Sequence, residues 1–398
     1  MIAGTVRIGI IGIGNMGASH VKNISEGNIA GLELAAVADR NPARREWAKE
    51  FLPTGFPVFS EGTELLREAS GGGMEAVLIA TPHYDHPPLS IAAFKAGLHV
   101  MCEKPAGVYA KQVREMNEAA EKSGLVFGMM FNQRTNCNYR KMLELVHSGK
   151  LGAIKRVSWI VTNWYRTQAY YDSGDWRATW DGEGGGVLLN QCPHNLDLLQ
   201  WICGMPDKVR AFCHNGKWHS IEVEDDVTAY LEYPNGATGT FITSTADAPG
   251  TNRFEITLEK GKLVIEDGKG LILEELEISE REFCKTAKGG FDQPPKKVSD
   301  VETDGSNEQH TGVLKAFTGA ILHGTPLIAG GCEGIHGLTL SNAMHLSGWL
   351  DKTVSLPLDD DLFLAELNKR RQLSHNSSGK KTGSGVVFDT GTSFNDGK

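Results

Sequence analysis

A histidine and a lysine in this chain could transfer protons at a hydroxyl group. His194 stands in GGGVLLNQCPHNLD, residues 184–197, and imidazole is the side chain that titrates near neutral pH. Lys104 stands in VMCEKP, and its ammonium could stabilise negative charge that develops on an oxygen. A lone histidine among apolar residues can also be a hydrogen-bonded core residue, so both interpretations of His194 are open from sequence.

A glycine pattern near the start predicts a dinucleotide site. The β-branched run over residues 6–13 is typical of a buried parallel strand, and it continues into GIGNMG at residues 12–17. In this pattern the first glycine permits a tight turn, the second admits a pyrophosphate, and the third lets a helix pack closely. The pyrophosphate is then expected at the N-terminus of the helix that follows.

Asp39 and Arg40 bear on which nicotinamide coenzyme binds. A second strand, over residues 32–39, ends on Asp39, whose carboxylate could accept hydrogen bonds from the adenosine ribose. Asp39 would repel the 2′-phosphate of NADP, while Arg40 could pair with that phosphate or stack over the adenine. We expect NAD, with NADP as the alternative.

Strands and helices alternate through the first third of the chain. Further strands are expected over 74–82, 99–105 and 125–131, with helices over 88–96 and 110–123. This alternation predicts a doubly wound parallel sheet, whose ligands gather where the strands end. Thr81, His83 and the pair Glu103 and Lys104 fall at such ends, although that pair could also be a plain surface ion pair.

His83 and His86 form an HxxH pair, a spacing that some metal sites use. Further ligands at plausible spacing are missing from the sequence, and His86 precedes two prolines where a helix is expected to begin. We therefore expect no metal. The predicted cofactor-binding residues are Gly12, Gly14, Asn15, Met16, Gly17, Asp39, Arg40, Thr81, His83, His86, Glu103, Lys104, Asn132 and Arg177.

The pattern changes after Gly152 to alternating polar and apolar residues with hairpin turns. Strands are expected over 153–164, 207–215, 226–233, 237–245 and 253–266, which predicts an antiparallel sheet. His194 is expected on a helix over about 187–202, or in its first turn after Pro193. The three glycines before it are expected to let a nicotinamide ring and a substrate approach.

Composition limits the class of protein. The chain has 398 residues, 40% of them hydrophobic and 22% charged, and a formal net charge of −9 without a long basic run. A nucleic-acid or membrane partner is therefore not expected, and a small-molecule partner is. Seven cysteines without CxxC spacing and the lack of a signal-peptide pattern indicate reduced thiols in a cytoplasmic protein.

Several of these segments together resemble a known enzyme family. GIIGIGNMGASH, VADR, ATPHYDH, AGLHVMCEKP and GGGVLLNQCPHNLDLLQW are similar, in this order, to the glucose-fructose oxidoreductase, inositol dehydrogenase and MocA family. The resemblance extends from Val6 to about residue 372. It implies a Rossmann domain (1–131) followed by a domain on a large open, mostly antiparallel sheet (132–372). The Ser-, Gly- and Thr-rich composition of 373–398 predicts a flexible tail or an arm that wraps a neighbouring subunit. Oligomers through the open sheet are common in this family, so a homodimer or homotetramer is expected.

The resemblance also implies the chemistry. Family members mostly use NAD(P) to oxidise a secondary alcohol on a sugar or cyclitol, with His194 matching the catalytic histidine and Lys104 the active-site lysine. Many members have aspartate where this chain has Asn190, which cannot stabilise an imidazolium by charge, so Asn190 is expected to orient substrate. Subgroups acting on nucleotide sugars or glycosides carry the same Asn-Gln pair. Asp197 is expected to orient or cap locally.

An aromatic-rich stretch, WYRTQAYYDSGDWRATW at 164–180, precedes the catalytic candidates. It is either a packed cover for the core or a surface that stacks on a sugar. Arg177 is the stronger candidate of its two arginines, because the family often has Trp-Arg ahead of its glycines. The predicted substrate-binding residues are Lys104, Trp164, Tyr165, Arg166, Arg177, Asn190 and His194.

Three functions are compatible with these residues. The first is oxidation of a secondary hydroxyl on a sugar, glycoside or cyclitol, with His194 as acid/base and Lys104 stabilising the alkoxide. The second is glycoside cleavage, in which oxidation at C3 permits elimination at C1 and the retained NADH then reduces the ketone. The third is a non-catalytic nucleotide-binding module that senses redox state.

Overall fold

The first part of the chain is a parallel sheet covered by helices on both faces. The computed structural model describes residues 4–69 and 71–377, without the side chains of 375–377. The strands, in the spatial order β3-β2-β1-β4-β5-β6, are β1 (Val6–Ile11), β2 (Leu32–Ala38), β3 (Val58–Phe59), β4 (Ala76–Ile79), β5 (His99–Cys102) and β6 (Phe127–Met129). The helices are α1 (Asn15–Ser25), α2 (Pro42–Phe51), α3 (Gly62–Ala69), α4 (His86–Lys95) and α5 (Ala110–Ser123). All neighbouring strands run parallel, which confirms the predicted doubly wound sheet.

The second part is built on a nine-stranded sheet. Its strands are β7 (Ile154–Val161), β8 (Lys208–Asn215), β9 (Glu224–Glu232), β10 (Thr238–Ser244), β11 (Asn252–Leu258), β12 (Gly261–Glu266), β13 (Ile272–Leu276), β14 (Lys296–Asp300) and β15 (Val354–Ser355). Their order is β14-β13-β12-β11-β7-β10-β9-β8-β15, and only the pairing of β7 with β10 is parallel among them. The predicted, mostly antiparallel sheet is therefore confirmed.

Seven α-helices follow α5 within the described part of the chain. They are α6 (Cys137–His147), α7 (Gln168–Tyr171), α8 (Pro193–Cys203), α9 (Glu280–Thr286), α10 (Gln309–His323), α11 (Gly334–Leu350) and α12 (Asp360–Ser377). Helix α11 packs on both β8 and α8, and residues on the inner face of the sheet are buried, such as Trp159, which stacks on Phe254 with ring centroids 4.0 Å apart. None of the helices among the residues described is long and apolar enough to cross a membrane.

The opposite face of this sheet is open. Phe212, Thr228, Ile242 and Ile160 lie directly opposite one another on β8, β9, β10 and β7. Phe212 is 51% exposed and Ile160 37% exposed, so apolar surface faces solvent there. The alternating pattern predicted from sequence places these residues outward and their chain neighbours inward.

Two features differ from the boundaries expected from sequence. Helix α10 returns to the first sheet, where Val313, Leu314 and Phe317 share a buried cluster with Ile8 and Ile10 of β1. The last helix continues to Ser377, which is within the expected tail, and the remainder of that tail lies outside the described residues. The first domain in space therefore includes α10, although α10 follows the second sheet in the sequence.

Candidate active site

The glycine loop between β1 and α1 has room for a pyrophosphate. Gly12 has φ +88°, and a Cβ there would lie 2.6 Å from the carbonyl oxygen of Ala80. A Cβ on Gly17 would overlap the Gly12 carbonyl, whereas one on Gly14 would meet nothing within 4 Å. Asn15 and Met16 open α1, whose first turn contains no acidic residue. The loop therefore has the shape that an anion at a helix N-terminus requires.

Asp39 stands beside this loop at the end of β2. Its carboxylate accepts hydrogen bonds from the main-chain N–H of Ile13 at 2.7 Å and of Asn41 at 2.8 Å. Each oxygen keeps a further lone pair for a ribose hydroxyl. Arg40 lies between two other carboxylates, with Nε 2.9 Å from Glu61 and Nη1 3.6 Å from Asp85, and they would compete with a 2′-phosphate. This arrangement fits NAD.

Thr81, His83 and His86 follow β4, and the structure gives them different surroundings. The hydroxyl of Thr81 is buried without a partner among the described residues, which suits contact with a bound coenzyme. His83 is buried and its Nδ1 donates to the Glu183 carbonyl at 3.1 Å, while burial lowers its pKa well below the usual range.

His86 differs from the sequence expectation. It is 1% exposed, and its two ring nitrogens face the carbonyl oxygens of Pro105 at 2.7 Å and Thr81 at 2.8 Å. Its polar atoms are thereby directed at main chain rather than at a coenzyme. We correct its role to support of the two loops that follow β4 and β5. Among the residues described, no group of three or more His, Cys, Asp or Glu is placed to hold a metal ion.

Glu103 is a buried anion and not half of a surface ion pair. It is 4% exposed, and its Oε1 lies 2.7 Å from Nε2 of His20. Burial raises the pKa of Glu103, but the hydrogen bond and charge of His20 outweigh burial and lower the pKa to about 2. His310 packs edge-on against His20, with centroids 5.6 Å apart, and burial lowers its pKa to about 4.

Lys104 joins the two parts of the molecule. It follows β5, and its Nζ donates at 3.0 Å to the main-chain oxygen of Asn190, four residues before His194. Burial, followed by the charges of Arg166 and Arg177, lowers the pKa of Lys104. The structure thereby brings Lys104 to the segment that carries both Asn190 and His194.

His194 lies in the first turn of α8, directly after Pro193, as one of the two expectations had it. The helix begins later than residue 187, because residues 187–192 form turns. The imidazole is 3% exposed and meets Phe131 edge-on, with centroids 6.3 Å apart. Burial, then the charge of Lys104, lowers the pKa of His194 well below the usual range, so the ring is neutral at pH 7.

The three glycines before α8 are needed for packing within the protein, which corrects the expectation that they admit a nicotinamide. A Cβ on Gly186 would overlap the main-chain oxygen of Glu224, and one on Gly184 would overlap Val108. A Cβ on Gly185 would lie 3.1 Å from the ring of His345. The carboxylate of Glu224 also accepts from the main-chain N–H of Gly186 at 2.9 Å. These contacts fix the turn that leads to His194.

The aromatic stretch contributes cations and rings near this turn. The guanidinium groups of Arg166 and Arg177 lie over the ring of Tyr170, at 5.3 and 4.6 Å from its centroid. The indole of Trp164 donates to the Asn195 side chain on α8 at 3.1 Å. Tyr165 is 47% exposed, so of the predicted substrate residues it is the most open to solvent.

Asn132 and Asp197 are held by other residues. Asn132 is fully buried and donates to the side chain of Gln309, while its Oδ1 has no partner among the described residues. Asp197 accepts two hydrogen bonds from Arg134, at 2.7 and 2.8 Å, so it pairs with a distant segment and does not cap its own helix as expected. Arg134 in turn bonds Glu333 at 2.6 Å, which ties three segments together.

Three residues of the site were missed by sequence reasoning: Glu183, His20 and His310. Glu183 is 2% exposed and accepts a hydrogen bond from the Asn190 side chain. A carboxylate directly before a glycine run was the available signal for it. Nothing local in the sequence singles out His310, because it reaches the first domain only through the return of α10.

Comparison with known proteins agrees with this geometry. Residues 6–131 match the family described as an oxidoreductase family with an NAD-binding Rossmann fold, and residues 139–264 match the GFO/IDH/MocA C-terminal domain.

Mouse trans-1,2-dihydrobenzene-1,2-diol dehydrogenase is 30% identical over 62% of this chain and 71% of its own length. Myo-inositol 2-dehydrogenase of Thermotoga maritima is 26% identical over 65% of this chain and 74% of its own. The crystal structure of the WlbA dehydrogenase of Chromobacterium violaceum, in complex with NADH and UDP-GlcNAcA, superimposes with a TM-score of 0.77 at 27% identity, covering 90% of this chain and 98% of that one. The chain therefore belongs to the GFO/IDH/MocA family of oxidoreductases, whose Rossmann domain binds NAD.

Proposed function

We propose that the protein oxidises a secondary hydroxyl on a sugar, glycoside or cyclitol with NAD. The observation that carries the proposal is the contact between Lys104, at the end of a Rossmann strand, and Asn190, four residues before the neutral His194. This contact joins the coenzyme domain to the segment that leads into the first turn of α8, where the charge of Lys104 lowers the pKa of His194. The named relatives, which include enzymes of inositol and dihydrodiol oxidation, support this substrate class.

The coenzyme would be held by the first domain. The glycine loop (12–17) would receive the pyrophosphate, and Asp39 the adenosine ribose. Thr81, His83, Glu103 and Asn132 stand at the carboxyl ends of the strands, where the nicotinamide half of the coenzyme belongs in such sheets. When bound, NAD supplies the acceptor for the hydride that leaves the alcohol carbon.

His194 and Lys104 would act on the hydroxyl oxygen. His194 removes the hydroxyl proton, for which its lowered pKa keeps the ring neutral and able to accept. The Lys104 ammonium donates a hydrogen bond to the same oxygen and stabilises its developing negative charge. Glu103 balances the lysine, since its charge opposes the depression of the Lys104 pKa by burial.

Substrate would lie against the turn before α8 and the aromatic stretch. Trp164, Tyr165, Arg166 and Arg177 are the residues proposed to contact it, together with Asn190. The stacked rings and guanidinium groups suit the face and hydroxyls of a sugar ring. Arg177 also approaches Glu183 to 3.8 Å, so its position is constrained from within the protein.

The first test is absorbance at the reduced nicotinamide band. The purified protein would receive NAD or NADP with free sugars, inositols, sugar acids and aryl glycosides. We expect NADH to form with one class of polyol. Release of an aryl group without net NADH would instead indicate oxidation followed by elimination, and saturable NAD binding without any turnover would indicate a non-catalytic redox module.

The second test is removal of the proposed base. His194→Ala should lower turnover at least about a hundredfold, the usual contribution of a general base, while NAD binding is retained. Coenzyme binding by fluorescence and the melting temperature Tm serve as controls for folding. Turnover near the wild-type rate would contradict the assignment of His194.

We also propose a homodimer or homotetramer formed through the open face of the nine-stranded sheet, and a cytoplasmic location. The exposed apolar row on that face supports the first. All seven cysteines lie among the described residues as free thiols, which supports a reducing compartment.

A further inference from the structure

Glu183 is a buried carboxylate that the proposed mechanism does not use. Its Oε2 accepts a hydrogen bond from the main-chain N–H of Ala178 at 2.6 Å, and its Oε1 accepts from Nδ2 of Asn190. Arg177 lies 3.8 Å from the same Oε1. The main-chain oxygen of Glu183 accepts from Nδ1 of His83, in the coenzyme domain, at 3.1 Å. Glu183 thus sits between the coenzyme domain and Asn190.

Both oxygens of Glu183 face donors: the main-chain N–H of Ala178 at Oε2, and Nδ2 of Asn190 at Oε1. Burial raises its pKa, but the Arg177 charge and the N–H groups of Ala178 and Asn190 oppose that rise. A main-chain N–H can only donate, so Oε2 is an acceptor in any case. Oε1 accepts from Nδ2 of Asn190 and lies 3.8 Å from the Arg177 guanidinium, so the NH2 end of the neighbouring amide faces Glu183.

Asn190 is consequently held in one orientation. Its NH2 faces Glu183, its main-chain oxygen accepts from Lys104 at 3.0 Å, and its Oδ1 is turned away from the carboxylate. A carbonyl oxygen in that position can accept a hydrogen bond and cannot donate one. The same side chain in the reverse orientation would present two donors instead.

We infer that Glu183 is a positioning residue that fixes the Asn190 amide as an acceptor, so that the site selects a substrate with a second hydroxyl that donates to Asn190 Oδ1. The inference rests on the proposed function. The carboxylate then acts through the amide and not on the reacting atoms.

Replacement of Glu183 by glutamine should reverse the amide. The introduced glutamine must use its oxygen to accept from the Ala178 N–H, which leaves its NH2 facing Asn190. Asn190 would then turn its Oδ1 inward and present its NH2 to substrate. The variant site should therefore no longer prefer a substrate whose second hydroxyl donates a hydrogen bond at this position.

Fluorinated substrate analogues measure this preference. Fluorine is close to a hydroxyl in size but cannot donate a hydrogen bond, so a hydroxyl replaced by fluorine should be rejected at the ring position that meets Asn190. With the polyol found in the absorbance panel, the ratio of kcat/KM for parent to fluorinated analogue would be determined at each ring position. We expect Glu183→Gln to lower this ratio about tenfold at one position, since tenfold corresponds to about 1.4 kcal/mol, near the net value of one hydrogen bond.

Further variants separate positioning from folding. The exchanged pair Glu183→Gln with Asn190→Asp places the donor at 183 and a carboxylate at 190, whose second oxygen still accepts from substrate, and should restore the ratio. Asn190→Ala removes the acceptor itself and should lower the ratio at the same ring position. Because Glu183 is unchanged in this variant, the result does not depend on whether Glu183→Gln folds. Asp181→Asn removes a nearby carboxylate that is bonded to Arg371 at 3.0 Å, and should leave the ratio unchanged.

The outcomes are distinct. A fall in kcat of equal size for parent and analogues, with the ratio kept at every position, would show a merely structural role and overturn the inference. The same conclusion follows if Asn190→Ala and the exchanged pair both keep the wild-type ratio, even where Glu183→Gln alone fails to fold. Failure of the wild-type protein to oxidise any polyol would instead count against the proposed function.

Discussion

The protonation state of His194 depends on its surroundings more than on the imidazole itself. The side chain is buried at a helix N-terminus, where the helix dipole and the neighbouring Lys104 both disfavour a positive charge. A base for alcohol oxidation must be unprotonated to act. The site therefore keeps the histidine in its working form at a pH where a solvent-exposed histidine would be partly protonated.

The pH profile of oxidation should reveal this effect. We expect kcat/KM to stay level as the pH falls through 6.5, because the pKa of His194 lies well below that value, and to decline only at lower pH. Lys104→Gln removes one of the charges that depress this pKa. The acidic limb of the variant, measured on its residual activity, should therefore move to higher pH.

The control for this prediction is the affinity of each protein for NAD, which should not change over the same pH range. An acidic limb that does not move in Lys104→Gln, or that moves to lower pH, would contradict the electrostatic coupling between the two side chains.

At the level of the element, two glycines in the turn from β1 into α1 are required for different reasons, one for packing and the other for coenzyme binding. Gly17 is enclosed by the Gly12 carbonyl, whereas Gly14 faces open space. Gly17→Ala should overpack the contact, lower the free energy of unfolding by about 1–3 kcal/mol and lower Tm. Gly14→Ala should leave Tm unchanged but weaken NAD binding at least about tenfold, or ~1.4 kcal/mol, because its methyl group enters the pyrophosphate space.

Calorimetry and NAD titration of both variants would check this contrast. Equal loss of Tm in the two variants would mean that both glycines serve packing alone, and unchanged NAD affinity in Gly14→Ala would place the pyrophosphate elsewhere.

Elements with a regular pattern were predictable from sequence, and contacts between distant segments were not. The buried strand before Gly12 and the alternating strands after Gly152 follow from residue periodicity, as does the glycine loop. Helix α8 starts at Pro193 because the turn before it is bonded to Glu224, a residue of a later strand. Lys104 and His194 were identifiable as candidates, but Glu183 acquires its role only through Asn190 and Ala178.

At the scale of the whole molecule, the open face of the nine-stranded sheet bears on assembly. Thr228 lies at the centre of the exposed row between Phe212 and Ile242. The wild-type protein should be a dimer or tetramer, and Thr228→Arg should weaken association at least roughly a hundredfold, since an unpaired buried charge costs about 3 kcal/mol or more.

Light scattering coupled to size-exclusion chromatography would measure the molar mass of each protein in solution, and so its oligomeric state. Lys95→Glu, on the exposed side of α4, is the matched charge change that should leave the mass unaltered. A wild-type monomer at micromolar concentration, or equal masses for wild type and Thr228→Arg, would contradict assembly through this face.

The return of α10 to the first sheet has a practical consequence for dissecting the enzyme. Val313, Leu314 and Phe317 cover the side of β1 that carries Ile8 and Ile10, so a fragment ending at residue 131 would bare that apolar surface. A coenzyme-binding fragment that keeps its cover would need the distant α10 joined to it. Two separate segments of the chain thus contribute to the nucleotide domain. Cutting the chain once between the domains would therefore divide a hydrophobic core as well as a linker.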